Sequence, residues 1–108
     1  MSNYYYLNDD HSVMPCSSSL WSIQFEEMKK NDTRHVNVDE INGCRVSTVW
    51  LGLNHNFFNE EVPLIFETII FNENSDSIYM DRYSTWEEAQ QGHEKAIQWV
   101  LDGDKDDK

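Results

Sequence analysis

Apolar residues recur at helical spacing in a segment near the start of the chain. Between residues 20 and 30, Trp21, Phe25 and Met28 fall on one face of a helix, which predicts an amphipathic helix there. The serines at positions 17–19 supply candidate N-caps for it.

A second helical pattern lies near the end of the chain. Ser84 and Thr85 each precede a glutamate by three positions, which gives two overlapping capping-box candidates. The pattern predicts a helix from about residue 85 to residue 101, with Gly103 just past its end. Its apolar stripe consists of Trp86, Ala89, His93, Ala96, Ile97 and Val100. We therefore expect one compact domain over residues 1–101 and a flexible charged tail over residues 102–108.

The remaining apolar runs alternate with polar residues and predict strands. Asn42-Gly43 favours a two-residue hairpin turn, and residues 62–71 are apolar on both faces, as in a central strand. The predicted strands are residues 4–7, 11–14, 36–41, 44–53, 62–71 and 78–83. Together these elements predict an α+β fold, with a mostly antiparallel sheet of about four or five strands and the two amphipathic helices packed on one face. The predicted helix contribution to the core is Trp21, Phe25, Met28, Trp86, Ile97 and Val100.

The charge balance narrows the classes of partner. Among 108 residues, 20 are Asp or Glu and 8 are Lys or Arg, which gives a formal net charge of -12. Such a surface repels phosphates and anionic lipid, so we expect neither direct nucleic-acid binding nor membrane binding. A basic protein surface would be attracted, although the acidity could equally serve solubility alone.

Composition and sequence motifs provide little evidence for a particular catalytic or binding chemistry. Cys16 and Cys44 are far apart and lack a CxxC spacing, which is typical of thiols kept reduced in a cytosol. No secretory signal or membrane-length apolar run is present, so we expect a soluble protein in the cytoplasm. The sequence has no Gly-rich phosphate loop, G-x-S-x-G elbow or H-E-x-x-H motif, and we expect no cofactor and no bound metal.

Four residues form the candidate catalytic constellation. They are His55, Glu67, Asp81 and His93, and they would meet where the last helix packs on the sheet. Histidines and carboxylates are the usual parts of an acid/base pair or a metal centre. The structural alternative is that His93 is a buried, neutral histidine bonded to a carbonyl, a hydroxyl or an acid such as Glu67.

A second set of residues predicts a partner-binding surface. It combines aromatic and acidic side chains: Phe57, Phe58, Glu60, Glu61, Glu73 and Asp76. Phe57 and Phe58 stand in a polar loop between strands, where full burial is not expected. Exposed strand edges and the Tyr4-Tyr5-Tyr6 segment would instead favour a homo-oligomer.

Three stretches resemble a family of small proteins encoded by tailed phages and prophages. They read VSTVWLGLNHNF at residues 46–57, PLIFETIIF at 63–71 and DRYSTWEEAQQGH at 81–93. Members of the family usually have Asp where this chain has Asn54, so a role of that position as a ligand or base is not expected to carry over to this chain. The resemblance implies a small accessory protein that works inside a bacterial cell. Because phage accessory genes often encode inhibitors of host enzymes or defence systems, we expect this protein to bind and inhibit a host protein, in an anti-defence or host-takeover role. A small metal-dependent hydrolase and a homo-oligomeric structural or virion accessory protein remain open alternatives.

Overall fold

The computed structural model describes residues 3–56 and 62–106, with side chains through residue 103. These residues form two antiparallel sheets and two helices, so the predicted α+β class is confirmed. In chain order the elements are β1 (Tyr4–Leu7), β2 (Val13–Cys16), α1 (Ser18–Asn31), β3 (His35–Ile41), β4 (Cys44–Trp50), β5 (Phe66–Phe71), β6 (Ser77–Tyr83) and α2 (Trp86–Asp106). Neither helix in this part of the chain has the length and apolar character that a membrane crossing requires.

The larger sheet is an antiparallel meander with strand order β3-β4-β5-β6. Asn42 and Gly43 join its first two strands with backbone φ angles of 52° and 81°, the left-handed values that a type I′ hairpin turn requires. β5 pairs with β4 on one side and β6 on the other, so it is the central strand that its two apolar faces predicted. Its regular part begins at Phe66, later than the predicted start.

One face of this sheet forms the core against α2. Alternate residues of the two middle strands point toward the helix and are buried: Val46, Thr48, Trp50, Phe66, Thr68 and Ile70. From α2, Ala89, Ala96 and Val100 pack against them. Because these alanines are small, the helix lies close to the sheet. The predicted apolar stripe is therefore the face of α2 that contacts the sheet.

The last helix begins as predicted but extends further. Thr85 Oγ1 accepts from the backbone N–H of Glu88, and the Glu88 carboxylate accepts from the N–H groups of Ser84 and Thr85. This is the predicted capping box. The helix then runs to Asp106, so the predicted helix end at residue 101 is wrong. A single glycine costs a helix about 1 kcal/mol, which is too little to end it at Gly103.

The N-terminal part forms a second, smaller unit of structure. β1 and β2 form the predicted hairpin, although the second strand is later than predicted and pairs Tyr5 with Pro15. α1 begins after the N-cap Ser17 and packs on β1, while α2 packs across all four strands of the larger sheet. Gln24 of α1 bonds both the N–H and the carbonyl of Leu7. These contacts do not confirm that both helices share one sheet face, and no residue of α1 is buried.

Candidate functional site

A buried chain of polar side chains crosses the interface between α2 and the larger sheet. His93 on α2 has Nε2 2.8 Å from Asp39 Oδ2 and Nδ1 2.7 Å from Thr48 Oγ1. Thr48 Oγ1 is in turn 2.5 Å from Thr68 Oγ1. We call these four residues the His93 network, and they link α2 to β3, β4 and β5.

Donor and acceptor roles within the His93 network follow from the chemistry of its groups. A carboxylate only accepts, so Nε2 of His93 donates to Asp39. With a neutral imidazole, Nδ1 then accepts the Thr48 hydroxyl proton, and Thr48 accepts the proton of Thr68. The buried polar side-chain atoms of His93, Thr48 and Thr68 each have a partner, which is the condition for burying such groups without a large penalty.

The order of acid, imidazole and hydroxyl resembles a catalytic triad, in which the hydroxyl is the nucleophile. Here both threonine hydroxyls are enclosed: Thr48, Thr68 and His93 are each 0% exposed, beneath α2. A substrate would have to displace the helix to reach either hydroxyl. The exposed end of the network is the Asp39 side chain, which is 43% exposed. The geometry therefore fits a polar connection within the core.

The four predicted catalytic residues do not converge. Glu67 points to the sheet face away from α2, where its carboxylate binds Arg82 Nε at 2.9 Å. Asp81 is exposed on the edge strand β6, and His55 bonds the carbonyl of Leu53 in the segment after β4. Across the described residues, no group of three or more His, Cys, Asp or Glu side chains is arranged to hold a metal ion.

The prediction for His93 is confirmed in its burial and its hydroxyl partner, but its acidic partner is Asp39 rather than Glu67. Sequence reasoning did not identify Asp39, Thr48 or Thr68 as its partners. A signal for the threonines was present, because each stands between two apolar residues of the same strand face. No comparable signal marked Asp39, because a carboxylate on an outer strand normally faces water.

Asn54 has a structural role in this fold. It is 6% exposed, and its Oδ1 accepts from the backbone N–H of Asn56 at 2.8 Å and of Leu64 at 3.0 Å. The side chain therefore ties together the chain before and after residues 57–61. A carboxylate at this position could accept the same two bonds.

The predicted partner-binding surface is only partly described. Phe57, Phe58, Glu60 and Glu61 lie outside the described residues. Glu73 and Asp76 are exposed in the turn between β5 and β6, which Asn72 orders by accepting from two backbone N–H groups. The Glu73 side chain lies against the neighbouring hairpin turn, where a Cβ on Gly43 would be 2.9 Å from Glu73 Cγ. These two turns form one end of the sheet.

The solvent side of α2 is a further acidic surface. Four of its acids are exposed: Glu87, Glu88, Glu94 and Asp102. Among α2 side chains through residue 103, Lys95 is the one cation. We use the name acidic surface for these four acids of α2 together with Glu73 and Asp76 of the turn between β5 and β6.

Tyr83 and Arg34 are among the groups whose pKa values are displaced by their surroundings. Burial raises the pKa of Tyr83 to about 12, and the nearby Thr68 hydroxyl acts in the opposite direction. The Tyr83 hydroxyl nevertheless makes no hydrogen bond of good geometry among the described residues. Burial also lowers the pKa of Arg34, while the charge of Glu67 acts in the opposite direction.

The chain has no match among protein-family models, curated proteins or solved structures.

Proposed function

We propose that this protein binds a basic surface on a bacterial host protein and inhibits that protein. The observation that carries the proposal is the acidic surface, which lies on a capped helix and an ordered turn. A net charge of -12 steers a basic partner toward it and repels nucleic acid. The resemblance to small phage proteins supports a bacterial host and an inhibitory role.

The enzyme alternative has no specific observation in its favour. Its four candidate residues are spread over different parts of the fold, and the hydroxyls of the His93 network are enclosed. The acidic surface, by contrast, is exposed and ordered.

The test is capture of host proteins from a bacterial lysate on the immobilised chain, at about 50 mM and about 500 mM salt. We expect the captured partner to be lost at high salt. The variant Glu73→Lys/Asp76→Lys should also lose it, whereas the matched control Glu26→Lys/Glu27→Lys on α1 should retain it. Both pairs change the net charge equally, so the comparison separates a specific surface from bulk charge.

Two results would contradict the proposal: a partner held equally well by all three proteins and at both salt concentrations, or no partner at all. If the captured partner is an enzyme, it should lose activity when the purified chain is added. This measurement tests the inhibitory role separately from binding.

A further inference from the structure

The face of the larger sheet opposite α2 carries three rows of side chains across the strands. We call it the open face. The first row is His35, Val49, Glu67 and Arg82. The middle row is Val38, Ser47, Ile69 and Met80. The third row is Glu40, Arg45, Phe71 and Ser77, with Ile78 beside it.

The open face is more apolar than a solvated sheet face usually is. Antiparallel sheets that cover one face with a helix normally present polar residues on the other. Here Ile69 and Phe71 stand on the outward side, and Ile78 and Met80 are 39% and 55% exposed. Among the described elements, α2 is the helix that packs across this sheet, and it lies on the other side. An apolar patch of this kind marks an interaction site.

The charges of the open face differ from those of the molecule as a whole. The chain has 20 acidic residues against 8 Lys and Arg. Its arginines are Arg34, Arg45 and Arg82: two stand on the open face, and Arg34 directly precedes β3. Glu40 faces Arg45 across the strands, and Glu67 is paired with Arg82. The open face is therefore close to neutral in an acidic protein.

We propose that the open face binds a second copy of this chain. Because Glu40 and Glu67 offset Arg45 and Arg82, the open face gives a strongly basic partner little attraction. A second copy presents both signs of charge and a matching apolar row. A two-fold axis along the uncharged middle row would set the Glu67 row of one copy opposite the Arg45 row of the other. Self-complementary faces of this type are the rule in two-fold dimers.

The edges of the sheet are less suited to self-association than its face. β3 and β6 are the edge strands, and the pairing of each with its neighbour contains a register irregularity. Irregular, charged edges are a common protection against strand-to-strand pairing. Association through the open face leaves the acidic surface on α2 exposed on the outside of the dimer, so the dimer would offer two copies of it to a partner.

The size of the open face predicts a reversible dimer. Four strands of about seven residues cover roughly 400 Å² at ordinary strand spacing and rise. A standard interface buries about 800 Å² on each partner. We therefore expect monomers and dimers to exchange at concentrations accessible to solution measurements.

The test is sedimentation of the purified chain from about 10 µM to about 1 mM protein, at about 50 mM and about 500 mM NaCl. We expect a monomer–dimer equilibrium that becomes tighter at high salt, because salt screens the repulsion between two copies of charge -12. Met80→Lys and Ile78→Lys should each weaken it by about tenfold or more. Met14→Lys removes a similarly exposed methionine on β2 and should leave it unchanged.

Circular dichroism of each variant establishes whether it is folded. Because the substituted side chains are exposed, we expect the variants to fold. A chain that stays monomeric over the whole range would overturn the inference, as would equal weakening by Met14→Lys. Either result would leave the proposed function unaffected, because that function is tested separately by capture from a lysate. Binding of the captured partner is expected to weaken at high salt, whereas dimerisation is expected to tighten.

Discussion

His93 shows how one side chain can specify the position of a whole helix. Its two ring nitrogens reach Asp39 on β3 and Thr48 on β4, and Thr48 continues the network to Thr68 on β5. Any rotation or slide of α2 would leave buried polar groups without partners, and each such group costs about 1–3 kcal/mol. The apolar contacts of Ala89 and Ala96 have no comparable directional requirement. The network therefore selects one packing of α2.

We expect His93→Ala to lower the free energy of unfolding by about 1–3 kcal/mol, because it strands Thr48 and opens a small void. Denaturant unfolding measures this change. Capture of a partner should fall only as far as folding does. An unchanged melting temperature together with lost binding or activity would instead show that His93 acts directly in function.

Asn54 provides a matched pair of variants at one buried position. Asn54→Asp keeps an oxygen that can accept from the N–H groups of Asn56 and Leu64, so we expect it to fold with stability close to that of the original chain. Asn54→Ala leaves both N–H groups without this acceptor and should lower stability by about 1–3 kcal/mol. Thermal unfolding compares them, and equal stability of the two variants would exclude this structural role.

At the scale of elements, residue spacing predicted each helix and strand of the described residues, because an amphipathic pattern marks the face of an element that packs on the rest of the fold. The alternation of Val46, Thr48 and Trp50 and the Asn42-Gly43 turn determined the β3-β4 hairpin at one side of the larger sheet. The placement of α1 was not predictable in the same way. Its Trp21 side chain donates to the carbonyl of Leu51, a contact 30 positions away in sequence that no local pattern specifies.

Gly92 and Gly103 test the packing of α2 from two places on one helix. A Cβ on Gly92 would clash with the Tyr83 ring, whereas a Cβ on Gly103 would meet nothing within 4 Å. We expect Gly92→Ala to lower stability by about 1–3 kcal/mol, because overpacking outweighs the better helix propensity of alanine. Gly103→Ala should raise it by up to about 1 kcal/mol. Equal effects in denaturant unfolding would contradict the close contact with Tyr83.

At the scale of the whole molecule, acidic and neutral surfaces are separated by the sheet. The solvent side of α2 presents Glu87, Glu88, Glu94 and Asp102. The other side of the sheet presents Arg45 and Arg82 beside apolar residues. Composition predicted the net charge but not this separation, since opposite faces of a strand alternate along the sequence and only the packing of α2 shows which face it covers. A dimer through the open face would concentrate the negative charge on its outer surfaces.

The whole fold should lose stability on the alkaline side through Tyr83. Burial raises the pKa of this tyrosine from 10.0 to about 12. Above pH 10 the unfolded chain releases the proton while the folded chain still holds it, so the folded state binds more protons and stability falls as pH rises from 10 through 12.

Tyr83→Phe removes that proton and also an unpartnered buried hydroxyl. We therefore expect it to be at least as stable at pH 7 and increasingly more stable than the original chain above pH 10. Tyr6→Phe is the control for loss of a tyrosine outside the buried core. Urea unfolding at several pH values measures the difference, and a difference that stays constant with pH would show that Tyr83 does not govern the alkaline limit.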